Sequence, residues 1–112
     1  MPLSEIERRR AEVTLREYCA RRLNPAIRDK LEIVHRIEGN FAYISERRPE
    51  WRNPSVRRDY DVAKFRFSVQ TRKWSLYWSD RNLKWHLFED AEPSADIGTF
   101  LPVVDSHPIF YG

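Results

Sequence analysis

Alternating apolar and polar residues between positions 63 and 78 constrain the fold of this chain more than any other feature. Large apolar side chains recur at every second position over 63–69 and again over 74–78, which is the period of a half-buried β-strand. A loop at Thr71 and Arg72 joins the two strands as a hairpin. The hairpin then makes three pairs on one apolar face of an antiparallel sheet: Val69–Trp74, Phe67–Leu76 and Phe65–Trp78.

A second hairpin is predicted just before the first. Alternation over 31–37 indicates a strand, Gly39-Asn40 favours a two-residue turn, and a further strand follows over 41–46. This turn fixes four cross-strand pairs: Glu32–Arg47, Ile33–Glu46, His35–Ile44 and Arg36–Tyr43. His35 and Glu46 share a mostly apolar face, so we expect them to hydrogen-bond or ion-pair if that face is buried.

A fifth strand is predicted over 83–88, and the length of the loop before it decides which side chains it buries. A two-residue loop at 80–81 buries the odd-numbered residues of the strand, including Trp85. A three-residue loop instead buries Lys84 and His86, which costs desolvation energy. We therefore predict the shorter loop, with Trp85 in the core and His86 on the opposite face.

Helices are predicted at both ends of the chain. Ser4 and Glu7 have the spacing of a capping box, which predicts a helix over 4–23 ended by Asn24-Pro25. Its buried stripe consists of Ala11, Leu15, Tyr18, Cys19 and Leu23. Near the other end, Ser94 is the predicted N-cap of a short helix kinked or restarted at Pro102. The residues that this helix buries are Ile97, Phe100, Leu101 and Val104.

These elements predict an α+β fold in one domain over 1–112. It contains an N-terminal helix, a five-stranded, mainly antiparallel sheet built from hairpins, and a short C-terminal helix. The Arg-rich segment 47–60 has no regular periodicity and contains two prolines, so it is predicted to be an ordered loop. Trp51 in this loop either fills a small satellite core or acts as a binding anchor.

Charge and cysteine content narrow the class of protein. All 20 basic residues and 12 of the 17 acids lie within 1–88, whereas 89–112 carries five acids and no base. The basic part of the chain is compatible with an anionic partner, and equally with charge that keeps a small protein soluble while the acidic tail docks on the basic body. The single cysteine, Cys19, forms no internal disulfide, and the chain opens on polar, Arg-rich sequence with no long apolar run. We therefore expect a reducing, cytoplasmic setting and no membrane partner.

The candidate binding surface is the sheet face opposite the aromatic core. The strand pattern places Lys64, Arg66, Tyr77, Lys84 and His86 on this face, with Arg47, Arg48 and Trp51 in the loop beside it. Cations interleaved with rings are able to hold a nucleic-acid backbone and stack on its bases, although they also suit an ordinary solvated sheet face. We predict a non-enzymatic module that binds an anionic partner, nucleic acid before protein. A protein-interaction or assembly domain, including a homo-oligomer, is left open.

The alternative is a metal-dependent enzyme that acts on nucleic acid. Asp61 and Lys64 are the residue types that hold magnesium and stabilise developing charge in such enzymes, and His86 adds an acid–base group. Their spacing is not specific, and the acids also suit neutralisation of the arginines at 57–58. The three histidines lack metal-ligand spacing and no glycine motif cradles phosphate, so we predict neither a metal site nor a cofactor.

A combination of short motifs resembles a small bacterial family known only as domain of unknown function 3024. The motifs are Arg48-Pro49-Glu50-Trp51, Asn53-Pro54, Ala63-Lys64, Trp74, Tyr77-Trp78, Leu83-Lys84-Trp85-His86 and the terminal Phe110-Tyr111-Gly112. Together they span nearly the whole chain. The resemblance implies one compact domain and brings no catalytic residues with it.

Overall fold

A computed structural model describes residues 3–22, 26 and 31–111. Helix α1 spans Glu5–Arg21 and is followed by five strands: β1 (Glu32–Glu38), β2 (Phe41–Pro49), β3 (Arg57–Ser68), β4 (Lys73–Ser79) and β5 (Trp85–Leu87). The chain then forms a 3-10 helix (Ile97–Phe100), α2 (Leu101–Ser106) and α3 (Pro108–Tyr111). The predicted α+β class, with an N-terminal helix, a five-stranded antiparallel sheet and short C-terminal helices, is confirmed.

The β1–β2 hairpin has the predicted register. The strands lie side by side in sequence order, each antiparallel to the next, and all four predicted β1–β2 pairs are present. Gly39 has a φ of 57°, a conformation that suits glycine in a tight two-residue turn. The turn residues therefore determine this register locally.

The β3–β4 hairpin differs from its predicted register by two residues. Phe67 pairs with Trp74 and Phe65 with Leu76, so the loop contains the four residues 69–72. The loop closes through a hydrogen bond of 2.7 Å from the backbone N–H of Arg72 to the carbonyl of Ser68. Because a shift of two residues leaves side chains on the same face, Phe65, Phe67, Trp74 and Leu76 stay in the core. The predicted core position of Val69 is wrong, because the longer loop includes this residue and leaves it exposed.

The predicted register of β5 is wrong. Trp78 pairs with His86, so His86 lies on the core side of the sheet edge, where its ring stacks on that of Trp78 at 4.7 Å. The cause is the Asp80 carboxylate, which accepts hydrogen bonds from the backbone N–H groups of Asn82 (2.8 Å) and Lys84 (3.0 Å). These bonds stabilise a longer turn and place Trp85 on the opposite face.

The long loop predicted over 47–60 is also wrong, because β2 and β3 continue pairing as far as Pro49 and Arg57. Cross-strand ion pairs such as Arg47–Asp59, at 2.8 Å, favour this two-stranded extension, which sequence periodicity does not reveal. The register shifts after Ile44, where Val62 is the extra residue of a β-bulge. The bulge buries Val62 and turns Asp61 towards the face opposite the core.

The helices cover one face of the sheet. Ala11, Leu15 and Tyr18 of α1 are buried there, as predicted. The four predicted C-terminal core residues, Ile97, Phe100, Leu101 and Val104, are buried as well. At the start of α1, the Ser4 side chain accepts a hydrogen bond from the Glu7 backbone N–H, which confirms the N-cap. The predicted C-terminal end of this helix, including Leu23, Asn24 and Pro25, lies outside the described residues.

The C-terminal segment is fastened at two points. The prediction that Ser94 is an N-cap is wrong, because the Ser94 backbone forms a β-bridge with Trp74. The N-cap of the 3-10 helix is Asp96, whose side chain accepts a hydrogen bond from the N–H of Gly98. Further on, the Tyr18 hydroxyl lies 2.6 Å from both an Asp105 carboxylate oxygen and the Tyr111 hydroxyl.

Among the described residues, no helix is long and apolar enough to span a membrane.

Candidate functional site

The sheet face opposite the helices, here called the open face, carries rings and cations from all five strands. Alternation along each strand sets its members: Arg36, Phe41, Tyr43, Lys64, Arg66, Lys73, Tyr77, Trp85 and Leu87. The opposite face contains the fully buried residues Ile44, Phe65 and Leu76. The open face is therefore the face of the sheet that the helices do not cover.

Lys64 lies near the centre of the open face, among three aromatic rings. Its Nζ atom is 4.5 Å from the ring centroid of Phe41, 6.0 Å from that of Tyr43 and 5.8 Å from that of Trp85. The rings of Tyr43 and Trp85 are themselves 6.2 Å apart. Attraction between the ammonium group and the ring faces holds these side chains together.

One side of the open face carries cations that acidic groups already neutralise. The Arg36 guanidinium donates two hydrogen bonds to the Asp61 carboxylate, at 2.8 and 3.1 Å, and a third to Glu38 at 3.0 Å. It also lies 4.0 Å above the Tyr43 ring. Burial alone would raise the pKa of Asp61, but hydrogen bonds from Arg36 and Ser45 outweigh it and lower that pKa. This carboxylate is therefore held ionised by its neighbours.

The other side of the open face carries cations without such neutralisation. Within the described part of the chain, Lys64, Arg66 and Lys73 have no carboxylate oxygen within 4.0 Å. Lys64 and Arg66 are two positions apart on β3, which places their Cα atoms about 7 Å apart along one edge of the ring cluster. Within the open face, positive charge without a carboxylate partner is thus concentrated over β3 and β4.

The extension of β2 and β3 carries the remaining predicted binding residues. Arg47 binds Asp59, whereas Arg48 lies 3.6 Å from a Glu46 carboxylate oxygen and 4.7 Å from the Tyr60 ring centroid. Trp51 is 81% exposed, so it does not fill a satellite core. The interpretation of Trp51 as a binding anchor stays a prediction.

The predicted binding residues thus fall into three groups. Lys64, Arg66 and Tyr77 share the open face, as expected, while Arg47, Arg48 and Trp51 lie on the extension. Lys84 is exposed in the turn before β5, and the His86 Nε2 atom lies 2.7 Å from an Asp80 oxygen on the other side of the sheet. The predicted placement of these last two on the open face is wrong, because the Asp80-centred turn shifts the register of β5.

Three aromatic members of the open face are not among the predicted site residues: Phe41, Tyr43 and Trp85. The sequence predicts Trp85 in the core, because the other register of β5 places His86 in the core at a desolvation cost. At this edge of the sheet His86 remains exposed, so the expected desolvation cost is small. The face of Tyr43 is predictable from the β1–β2 hairpin, because Tyr43 pairs there with Arg36 and therefore shares its face.

The candidate catalytic residues do not share a surface. Asp61 and Lys64 lie on the open face, whereas His86 lies on the opposite one. The Asp61 carboxylate is occupied by Arg36 and by the Ser45 hydroxyl, which donates to it at 2.6 Å. The described residues contain no group of three His, Cys, Asp or Glu side chains arranged to hold a metal ion.

His35 and Glu46 have the predicted positions but not the predicted contact. His35 Nδ1 lies 3.7 Å from the Cys19 Sγ atom, and Glu46 faces Arg48 instead. Burial raises the pKa of the Cys19 thiol to about 11, with a further contribution from Glu32, and burial lowers the pKa of His35. The two groups therefore meet as a neutral thiol and a neutral imidazole near pH 7, in keeping with the predicted structural role of Cys19.

The chain belongs to the family described as Domain of unknown function (DUF3024), whose model matches residues 3–112. This match confirms the resemblance seen in the sequence motifs. Neither the curated proteins nor the solved structures contain a match to this chain. The family brings no activity with it, so function has to be inferred from the open face.

Proposed function

We propose that this family member is a non-enzymatic binding module for an anionic partner, and that the partner is single-stranded nucleic acid held on the open face. The observation that carries the proposal is the row of Lys64, Arg66 and Lys73 on the open face, cations without a carboxylate partner in the described residues. Lys64 in this row lies beside the rings of Tyr43 and Trp85. Phosphates bind such cations, and unpaired bases stack on rings.

The distribution of charge supports this assignment. Elsewhere on the sheet, arginines such as Arg36 and Arg47 are held by acids in the same protein, so their charge is largely satisfied internally. The cations on β3 and β4 gain most from an external anion, because binding adds ion pairs without breaking existing ones. A flexible polyanion also matches an open sheet face better than a rigid ligand shaped for a deep pocket.

Salt-dependent binding of a mixed-sequence, single-stranded oligonucleotide tests the proposal. If Lys64, Arg66 and Lys73 each contact one phosphate, the logarithm of the association constant should fall with the logarithm of salt concentration with a slope of about −2. Lys64→Gln combined with Arg66→Gln should reduce the size of this slope by about 1.4 and weaken binding to all sequences. Arg81→Gln, an exposed charge change in the β4–β5 turn, is the matched control and should leave the slope unchanged.

Two results would contradict the proposal. One is the lack of measurable binding to single strands at low salt, since phosphate contacts strengthen as salt falls. The other is a weakening by Arg81→Gln about half as large as that by the double variant, which removes two charges instead of one, because this would show that net charge alone governs the association.

A second candidate function is protein assembly through the extension of β2 and β3. Trp51, Val56 and Tyr60 are exposed there, and large exposed rings often anchor protein interfaces. Sedimentation analysis of the wild type and Trp51→Ala distinguishes this candidate: a dimer that Trp51→Ala dissociates supports it, and a monomer at all concentrations removes a homo-oligomer. The enzymatic alternative has less support, because His86 lies across the sheet from Asp61 and Lys64.

A further inference from the structure

Resting on the proposed function, we infer that one unpaired nucleobase inserts between the rings of Tyr43 and Trp85, which act as the two walls of a base-binding gap. Neither residue was expected at a binding site from the sequence. Their strands are not neighbours: β3 and β4 lie between β2 and β5. At a spacing of about 4.8 Å between strands, positions on β2 and β5 are about 14 Å apart. The ring centroids are only 6.2 Å apart, so the two side chains approach each other across the open face.

The rings of Tyr43 and Trp85 contact each other directly as a tilted pair, with planes inclined at 59°. An aromatic ring stacked between two others requires about 7 Å between the outer planes, since each stacked pair is separated by about 3.5 Å. A base therefore enters when one ring moves away until the two planes are parallel and about 7 Å apart.

The two walls differ in how firmly they are held. Tyr43 lies in a long internal strand, and the Arg36 guanidinium, itself anchored to Asp61, covers its ring at 4.0 Å. Trp85 begins a three-residue strand at the edge of the sheet, next to an exposed turn. Tyr43 is thus the fixed wall, and Trp85 is the wall that adjusts when the base enters.

Lys64 supplies the charge that selects a nucleotide over an uncharged ring. Its Nζ atom is almost equidistant from the two rings, at 6.0 and 5.8 Å, which places it beside the gap. A phosphate bound there by Lys64 and Arg66 would carry its base towards the gap. Bases in a duplex are paired and stacked inside the helix, so only an unpaired base is available for insertion.

The test compares a single-stranded oligonucleotide with an abasic strand of the same length and backbone charge, each titrated into the intact protein at fixed salt. The wild type should bind the base-containing strand roughly tenfold to a hundredfold more tightly, the usual effect of stacking one base on protein rings. Trp85→Leu and Tyr43→Leu should each reduce this preference to less than threefold. Tyr43→Phe, which keeps the ring, should retain it, and so should Tyr60→Leu, an aromatic substitution on the extension.

The outcomes separate this inference from the proposed function. Equal, salt-dependent binding of both strands by the wild type would refute base insertion and leave the proposed function standing. Binding of neither strand would refute both. The indole N–H resonance of Trp85 gives a readout that does not depend on the folding of variants, because in the wild type it should shift with the base-containing strand. An unshifted resonance at saturation would overturn the inference.

Discussion

Replacing Asp61 by Asn tests whether the hydrogen-bond network of Arg36, Asp61 and Ser45 stabilises the sheet. The Asp61 carboxylate accepts two hydrogen bonds from Arg36 and one from Ser45, whose side chain is buried at 1% exposure. Asn keeps the shape and one acceptor oxygen but removes the charge and the second acceptor. The substitution therefore weakens the paired contact with Arg36. It leaves the packing around the β-bulge at Val62 unchanged.

The expected loss in the free energy of unfolding is about 1–2 kcal/mol at pH 7. Hydrogen bonds to charged groups contribute about 1.5–3 kcal/mol, and the lower part of that range applies because the Asp61 side chain is 32% exposed. Asp59→Asn is the matched control. Asp59 makes a similar paired contact with Arg47, but no buried hydroxyl depends on it, so its loss should cost about 0–1 kcal/mol.

The effect of Asp61→Asn should depend on pH with a definite sign. The pKa of Asp61 is lowered in the folded protein, so its contribution is fully present above the unfolded-state pKa of about 3.9. The contribution is lost as the pH falls through the lower, folded-state pKa. The stability difference between wild type and variant should therefore be constant from pH 5 to 8 and shrink towards pH 3.

Urea unfolding followed by tryptophan fluorescence at pH 7 and at pH 3 measures both quantities. The m-values should agree between variants, so that shifts in midpoint report stability. Two results would refute the reasoning: a cost for Asp61→Asn no greater than that for Asp59→Asn, or a difference from the wild type that does not diminish at pH 3.

Three further predictions concern other parts of the structure. Asp80→Ala removes the acceptor for the N–H groups of the β4–β5 turn, so the cross-peaks between the Tyr43 and Trp85 rings should weaken in NMR spectra; unchanged cross-peaks would contradict the positioning role of Asp80. Cys19 should react with iodoacetamide at pH 8 roughly a hundredfold more slowly in the native than in the urea-unfolded protein, because burial raises its pKa to about 11, and equal rates would refute this. Tyr18→Phe should lower the free energy of unfolding, measured by urea unfolding, by about 1–3 kcal/mol, because Asp105 and Tyr111 lose a buried partner. Tyr60→Phe, which removes an exposed hydroxyl, should cost less than about 0.5 kcal/mol in the same assay, and equal costs would contradict the reasoning.

The predicted face of a side chain is confirmed where strand alternation alone decides it. Lys64, Arg66 and Tyr77 lie on the open face because all three occupy the polar positions of β3 and β4. A register error of two residues in that hairpin did not move them, since the side-chain period is also two. Their grouping was therefore available from the sequence without a correct loop length.

The prediction failed where a single side chain controls the backbone. The β4–β5 register differs from the predicted one by three residues, an odd number, so every side chain of β5 changes face. A comparison of desolvation costs does not predict this register, because the deciding interactions are hydrogen bonds that the Asp80 carboxylate accepts from backbone N–H groups of the turn. The bulge at Val62, which brings Asp61 to the open face, interrupts the alternation of β3, so the period of two does not predict it.

The sequence by itself determined the α+β class, the two faces of the central hairpin, the N-cap at Ser4 and the residues that the C-terminal helices bury, since each follows from local period or capping chemistry. Only the tertiary structure decided that Tyr43 and Trp85 meet over Lys64. That meeting joins residues 42 positions apart, on strands separated by two others, and depends on a turn register and on the shape of the whole sheet. The alternating pattern sets which way a side chain points, and the assembled sheet sets what it meets there.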